Sequence, residues 1–266
     1  EKDLYEYSYS LIKESNILVF DRVYNENSKV DEMYQDHLKG KISSLFQGHN
    51  TCWFFFGPTD SGKSFTLRGG ENNQEKGLLS KTVFEILNMI ELSKQVNQNK
   101  NNVYGLKLSC YQVYNDIIHD LLSKDYSKEL KIGFSPNINQ NMNNNNTNVN
   151  FTTNSYIPTN NNQNLNKSNL SNISTISTSS GEYFVENLTK KEISSIKDLD
   201  LCLKEIVQNK KMLTQYLKVN DMKRKSSLVF SIILEKRENG ENKKLNIVEK
   251  KIHKISQLDF VELPSS

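Results

Sequence analysis

Cysteine and histidine are sparse in this chain: 266 residues carry three of the first and four of the second. Cys52, Cys110 and Cys202 lie far apart, at no metal-ligand spacing, so neither a disulfide framework nor a zinc cluster is indicated. Cys52 and Cys110 sit in apolar strand-like runs, and inert, buried thiols in a reducing compartment are expected. The histidines are scattered and none takes a role. An excess of one charge is missing as well. Against 34 Lys and Arg stand 31 Asp and Glu, a net charge of +3, which gives bulk electrostatics no hold on nucleic acid. No apolar run approaches the roughly 20 residues of a membrane span, and Glu1-Lys2-Asp3 opens no signal peptide. Neither nucleic acid nor membrane is expected as a partner. The chain starts without methionine and stops just after a strand-like segment, so it reads as a piece of a longer protein. Its length suits one large α/β domain or two small ones.

The most informative stretch is Gly57-Pro58-Thr59-Asp60-Ser61-Gly62-Lys63-Ser64, a full match to the phosphate-binding loop G-x-x-x-x-G-K-[ST]. It follows an apolar run, Cys52-Trp53-Phe54-Phe55-Phe56, which reads as a buried strand. Two glycines let the backbone turn tightly enough to aim successive N–H groups at phosphate oxygens. In that pattern Lys63 places a point charge over the β- and γ-phosphates, and the Ser64 hydroxyl gives one oxygen to Mg²⁺. The plainer alternative is a Gly/Ser turn that happens to carry a lysine.

Strands and helices alternate along the rest of the chain, as an α/β sheet requires. Asn16 to Phe20 reads as a short strand. Ser28-x-x-Asp31 looks like a capping box, followed by Val30, Met33, Tyr34, Leu38, Ile42, Leu45 and Phe46 at helical spacing, with Gly48 closing the helix. Leu79, Val83, Ile86, Leu87 and Ile90 mark a second amphipathic helix. Leu106 to Tyr114 is strand-like, and Ile117 to Leu122 reads as a helical turn. Ser195-x-x-Asp198 opens a further helix buried through Leu199, Leu203 and Ile206. Leu228 to Leu234 and Leu258 to Leu263 are strands. Residues 135–180 break the pattern: more than a third are asparagine and most others Ser, Thr or Gln. With 17 asparagines in 46 positions, such a segment has too little apolar surface to offset its ordering entropy, so a disordered insertion is expected. A tolerated expansion of a surface loop accounts for it, and an interaction tail is the alternative. It separates Leu130-Lys131-Ile132 from Tyr183-Phe184-Val185, which look like two arms of one hairpin.

Three blocks resemble the kinesin motor domain: Phe20-Asp21-Arg22-Val23-Tyr24, the loop GPTDSGKSFT, and the run from Ser109 to Leu122 (SCYQVYNDIIHDLL). Kinesins read FDRVF, GQTGSGKTYT and S-x-x-E-I-Y-N-E-x-I-x-D-L-L in the same order. Gly181 to Leu188 is similar to the family's G-x-Y-V-x-G-L, and Leu258 to Ser266 (LDFVELPSS) to its LNLVDLAGS. The resemblance covers nearly the whole chain outside the asparagine insertion. It implies a phosphate-loop α/β fold, a central, mainly β sheet with helices on both faces, incomplete at both ends.

The resemblance also implies a site. ATP or ADP with Mg²⁺ would sit on Gly57, Pro58, Thr59, Asp60, Ser61, Gly62, Lys63 and Ser64, with Phe65 beside the adenine. Two switch segments would sense the γ-phosphate and report it to a microtubule-binding face. The first switch, N-x-x-S-S-R-S-H in kinesins, has its counterpart in Asn220 to Ser227. Asn220 and Ser226 match. The serine pair has become Lys223 and Arg224, and the arginine Lys225, which lacks the bidentate fork. The second, D-L-A-G, corresponds to Glu262-Leu263-Pro264-Ser265. Glu262 keeps a carboxylate for the metal's outer shell, Pro264 has no N–H, and Ser265 replaces a glycine. Asp60 stands where the family has a small neutral residue and opposes phosphate by Coulomb repulsion unless it turns away.

The residues expected to act in turnover are thus Asn220, Ser226 and Glu262, with Ser64 and, through water, Glu262 at the metal. Two function classes follow. One is an ATP-driven motor on microtubules (tubulin), coupling ATP binding and hydrolysis to movement in the cytoplasm and cytoskeleton, with coiled coil elsewhere in the protein and a homodimer formed outside this chain. The other is a hydrolysis-impaired, kinesin-like module that binds microtubules or serves as a scaffold. A small-molecule kinase leaves the block from Ser109 to Leu122 unexplained.

Overall fold

Alternation of apolar residues builds the sheet, and the computed structural model describes it over residues 19–70, 75–96, 102–136, 181–220, 225–242 and 247–265. Its strands are β1 (Thr51–Phe55), β2 (Asn102–Tyr114), β3 (Ile117–Asp120), β4 (Glu129–Leu130), β7 (Lys191–Glu192), β8 (Ser226–Asn242) and β9 (Ile247–Glu262). They lie in the order β1-β9-β8-β2-β3-β4, with β7 also paired to β2. Only β1 and β9 run parallel; the other described pairs are antiparallel. Cys110, Phe230, Phe260 and Trp53 face one another across four neighbouring strands. Leu108, Ile232 and Leu258 form the next row. Side chains two apart share a face, so these rows make one apolar surface, and the core gathers on it.

The helices cover that surface. Val30–Met33 (α1), a π-helical turn (Tyr34–Leu38) and Lys39–Phe46 (α2) follow one another directly. Their buried residues Val30, Tyr34, Leu38 and Ile42 recur every four positions. In a regular α-helix each such step drifts about 40° around the axis, and the wider π turn takes up that drift. Helices α3 (Lys63–Arg68), α4 (Leu78–Val96) and α5 (Ile196–Tyr216) complete the layer through Leu67, Leu79, Ile86, Leu199 and Ile206, all fully or almost fully buried. The expected α/β class holds, and the described helices contribute to one continuous core.

Several local expectations change. The strand before the phosphate loop is half-buried and lies at the edge of the described sheet, where its apolar run suggested a buried strand. Among the described strands β1 has β9 as its one partner, and Cys52, Phe54 and Phe56 are exposed. Cys110 and Cys202 are buried as expected, and burial pushes both thiols up. Ser28 does not cap a helix. Its hydroxyl accepts from the Asn25 N–H (3.1 Å) and donates to Asn25 Oδ1 (3.2 Å), which commits it to the preceding turn. The helix starts on Lys29 with no side-chain cap, and Asp31 pairs with Lys81 instead. Ile117 to Leu122 is no helical turn either. Asn115 and Asp116 both have positive φ (48° and 61°), the requirement of a tight reverse turn between twisted strands, and Ile117–Asp120 returns along β2.

Other expectations hold. Gly48 closes α2 at φ 88°. The capping box of α5 is formed, with the Ser195 N–H donating to Asp198 Oδ2 (2.8 Å) and the Asp198 N–H to Ser195 Oγ (3.3 Å). The hairpin flanking the insertion exists as β5 (Ile132–Pro136) and β6 (Gly181–Val185), although Leu130 belongs to the main sheet. Its arms reach further than expected: Ser135 pairs with Glu182 and Pro136 with Gly181. Residues 137–180 of the asparagine-rich segment and Asn16 to Leu18 of the first expected strand lie outside the described residues. Val19 and Phe20 are exposed and in no strand.

Candidate functional site

Where β1 ends, the chain turns through two glycines with backbone conformations that L side chains rarely adopt. Gly57 has φ 142°, and a Cβ there would meet Ser61 Oγ at 3.0 Å; Gly62 has φ 88° and heads α3. Both glycines are therefore required by the loop. Between them Asp60 also takes φ 60°, a region that Asp tolerates better than most residues. The Leu263 N–H donates to Phe55 O (2.9 Å), so the chain leaving β9 runs beside the start of the loop.

That contact brings the loop and Glu262-Leu263-Pro264-Ser265 together, although some 200 positions separate them. Lys63 Nζ donates to Gly57 O (2.6 Å), Pro58 O (2.8 Å) and Ser265 Oγ (3.2 Å). The Ser64 hydroxyl donates to Glu262 Oε1. Glu262 Oε2 is buried and has no hydrogen-bond partner. A hydroxyl beside a carboxylate with an unused oxygen is a hard, all-oxygen donor pair, which suits Mg²⁺. Among the described residues no three His, Cys, Asp or Glu side chains gather for a metal. A cation here would thus need further oxygens, from phosphate and water, as Mg²⁺ usually does.

Thr59 to Phe65 line a cleft of about 290 Å³ together with Lys210, Ser226, Leu228, Glu262, Leu263 and Ser265. Gly57 and Pro58 meet the site through the carbonyls that hold Lys63. Phe65 is 44% exposed at the cleft. Ser226 lies at the head of β8, where its hydroxyl accepts from Gln112 Nε2 (2.7 Å). Asn220 is on an exposed turn after α5 and is not among the residues lining the cleft. Lys225 is exposed, while Asp221 to Arg224 lie outside the described residues.

Sequence reasoning missed Lys210. It follows Ile206 by four positions and precedes Leu213 by three, so the apolar stripe of α5 already placed it on the inner face. The Asn209 amide fixes that helix against the β3 turn, donating to Leu121 O (3.0 Å) and Ser123 O (3.3 Å). Lys210 is close enough to the sheet that its charge, with that of Arg68, opposes the upward push of burial on the Cys110 thiol.

A mixed sheet with a glycine-bounded loop passing from a strand into a helix, beside the end of a neighbouring parallel strand, is the architecture of the phosphate-loop fold class. Within that class the chain belongs to the kinesin motor-domain family, whose model matches residues 10–266. It is 32% identical over 127 residues to the kinesin-like protein KIF27 of Rattus norvegicus, covering 46% of this chain and 9% of that protein. It is 24% identical over 217 residues to the kinesin-like protein KIN-14E of Arabidopsis thaliana, covering 82% and 13%. With kinesin-like protein 3 of Schizosaccharomyces pombe the identity is 33% over 111 residues, 41% and 19%. The matched regions thus span less than a fifth of the length of these relatives. A solved structure described as a fast kinesin shares the fold at a TM-score of 0.62 and 18% identity, over 93% of this chain and 54% of that one.

Proposed function

We propose that this chain is part of a microtubule motor domain that binds ATP or ADP with Mg²⁺ on Gly57 to Ser64 and couples ATP binding and hydrolysis to movement. The observation that carries this reading is the joining of loop and β9 end by two side-chain contacts, Lys63 to Ser265 and Ser64 to Glu262. A ligand that draws Lys63 or Ser64 toward itself must alter the hold on the second switch segment. The family's coupling of nucleotide to distant surfaces requires such a link.

In this reading Lys63 meets the β- and γ-phosphates, and Ser64, with Glu262 through water, would hold Mg²⁺ there. The metal supplies charge neutralisation of the phosphates. Phe65, exposed at the cleft, offers its ring to the adenine. Asn220 and Ser226 are the first-switch groups assigned to turnover. The asparagine-rich segment is read as an insertion in the domain, lying in sequence between the arms β5 and β6. Microtubules are the partner, and the cytoplasm and cytoskeleton the location. ATP turnover by the full-length protein, with and without microtubules, tests the proposal: no nucleotide binding and no turnover would reject it.

The hydrolysis-impaired module is the second reading, favoured by a specific contact. Ser265 accepts from Lys63 and so holds that cation to the second switch segment, and Pro264 before it has no N–H to offer. A protein that binds MgADP and microtubules but does not turn over ATP would decide for it.

Asp60 supplies a separate check on the loop. It is exposed at the cleft with φ 60°. Glycine and asparagine both tolerate that conformation, but only asparagine removes the charge without loosening the chain. Asp60→Asn is expected to tighten nucleotide binding roughly two- to fivefold at low salt, and less at physiological salt, because exposed charges are screened. Asp60→Gly should show the same salt dependence. Titration calorimetry at two ionic strengths measures it; unchanged affinity in both variants would show that the carboxylate is turned from the phosphates.

A further inference from the structure

We propose that Lys210 of α5 binds the terminal phosphate of the nucleoside triphosphate and so makes the cleft prefer triphosphate over diphosphate; this rests on the nucleotide-binding reading above. Lys210 lines the same cleft as the loop from Thr59 to Phe65, together with Ser226, Glu262 and Ser265. A phosphate chain whose inner groups lie in the loop's N–H cradle extends its outer end into the cleft, where Lys63 and Lys210 are the two lining cations. The lysine is half-buried, so its charge is screened less than that of a fully exposed side chain.

The charge balance of the cleft demands a second cation. Its charged lining groups are Asp60, Glu262, Lys63 and Lys210. Without Lys210 two carboxylates face one ammonium, and a polyanion would meet a net negative site. With Lys210 the walls are neutral before any metal arrives. The position is also rigid. The capping box sets the start of α5, and the two hydrogen bonds of Asn209 set its rotation at the residue before Lys210. A positioned cation contributes more than a mobile one, because less side-chain freedom is lost on contact. The two family serines that would approach the γ-phosphate are Lys223 and Arg224 in this sequence, so the terminal phosphate has lost its usual hydroxyl partners on the first switch. Lys210 answers that loss from a helix.

The test compares ADP with a non-hydrolysable ATP analogue, each with Mg²⁺, on the full-length protein. Lys210→Met is expected to weaken the analogue roughly 10- to 100-fold, the range for one lost charge-assisted hydrogen bond, and ADP less than about threefold. Lys210→Arg should recover most of the loss. Independently of any variant, acylation of lysine amines in the native protein, mapped by mass spectrometry, should be blocked at Lys210 by the analogue and not by ADP. Equal loss of both nucleotides in Lys210→Met, or equal labelling of Lys210 with either bound, overturns the assignment while leaving the nucleotide site intact. If the native protein binds neither nucleotide, the site reading falls, and this assignment with it.

Discussion

Lys63→Ala is expected to weaken binding of MgADP to the full-length protein by about 2–3 kcal/mol, roughly 30- to 150-fold. In the proposed site the lysine is a point charge on the phosphates, and its replacement removes both that charge and its hydrogen bonds. The structure also shows what it relinquishes. Its three bonds to Gly57 O, Pro58 O and Ser265 Oγ must be exchanged for bonds to phosphate, so the measured loss is a difference and should lie toward the lower end of the range. Those bonds also brace the loop. Lys63→Ala should therefore lower the thermal midpoint of the nucleotide-free protein slightly, and a calorimetric binding series must be read beside that shift. Equal affinity of native protein and variant would refute the phosphate assignment. A fall in stability with no fall in affinity would reduce Lys63 to a brace.

Much of this site is legible in the sequence because the loop's chemistry is local. Two glycines at fixed separation, a lysine and a hydroxyl report a backbone shape and a charge without any knowledge of distant residues. The same holds for the capping box at Ser195 and Asp198, where both partners lie within one turn. Failures begin where a side chain has two local uses. Ser28 fits a cap by spacing but belongs to the turn with Asn25, and spacing does not distinguish the two. The pair Asn115-Asp116 carried the signal of a tight hairpin turn, yet the apolar residues from Ile117 to Leu122 also fit a helix. The position of β1 was beyond reach for another reason. Its apolar run states that side chains avoid water, whereas the number of neighbouring strands is a matter of topology. Ser265 was expected at the site from the resemblance of Glu262 to Ser265, whereas Lys210 enters the cleft through tertiary packing. Only the helical stripe around Ile206 and Leu213 hinted at Lys210.

Microtubule-stimulated ATP turnover by the full-length protein is expected to be slow compared with an ordinary kinesin, and restoring both switch segments to the family pattern should raise it. Phosphoryl transfer depends on positioning and electrostatic stabilisation, with donors held within hydrogen-bond reach of the γ-phosphate and the attacking water. Several of those donors are altered. Lys223 and Arg224 replace two serines and Lys225 an arginine, while Glu262, Pro264 and Ser265 replace aspartate, alanine and glycine. The structure adds that Ser265 accepts from Lys63 and so draws that cation toward the second switch segment. Loss of one preorganised donor typically slows such a step about 10²–10³-fold. Restoring one switch alone should do less than its share, because groups that act as a unit are not additive. The second switch should matter more of the two, since Ser265→Gly frees Lys63 from one bond and Pro264→Ala returns an N–H. Turnover of the native protein at ordinary motor rates would overturn the expectation. Lys223 and Arg224 would then be serving as phosphate ligands by a different geometry, and replacing both with serine would slow the enzyme instead of speeding it.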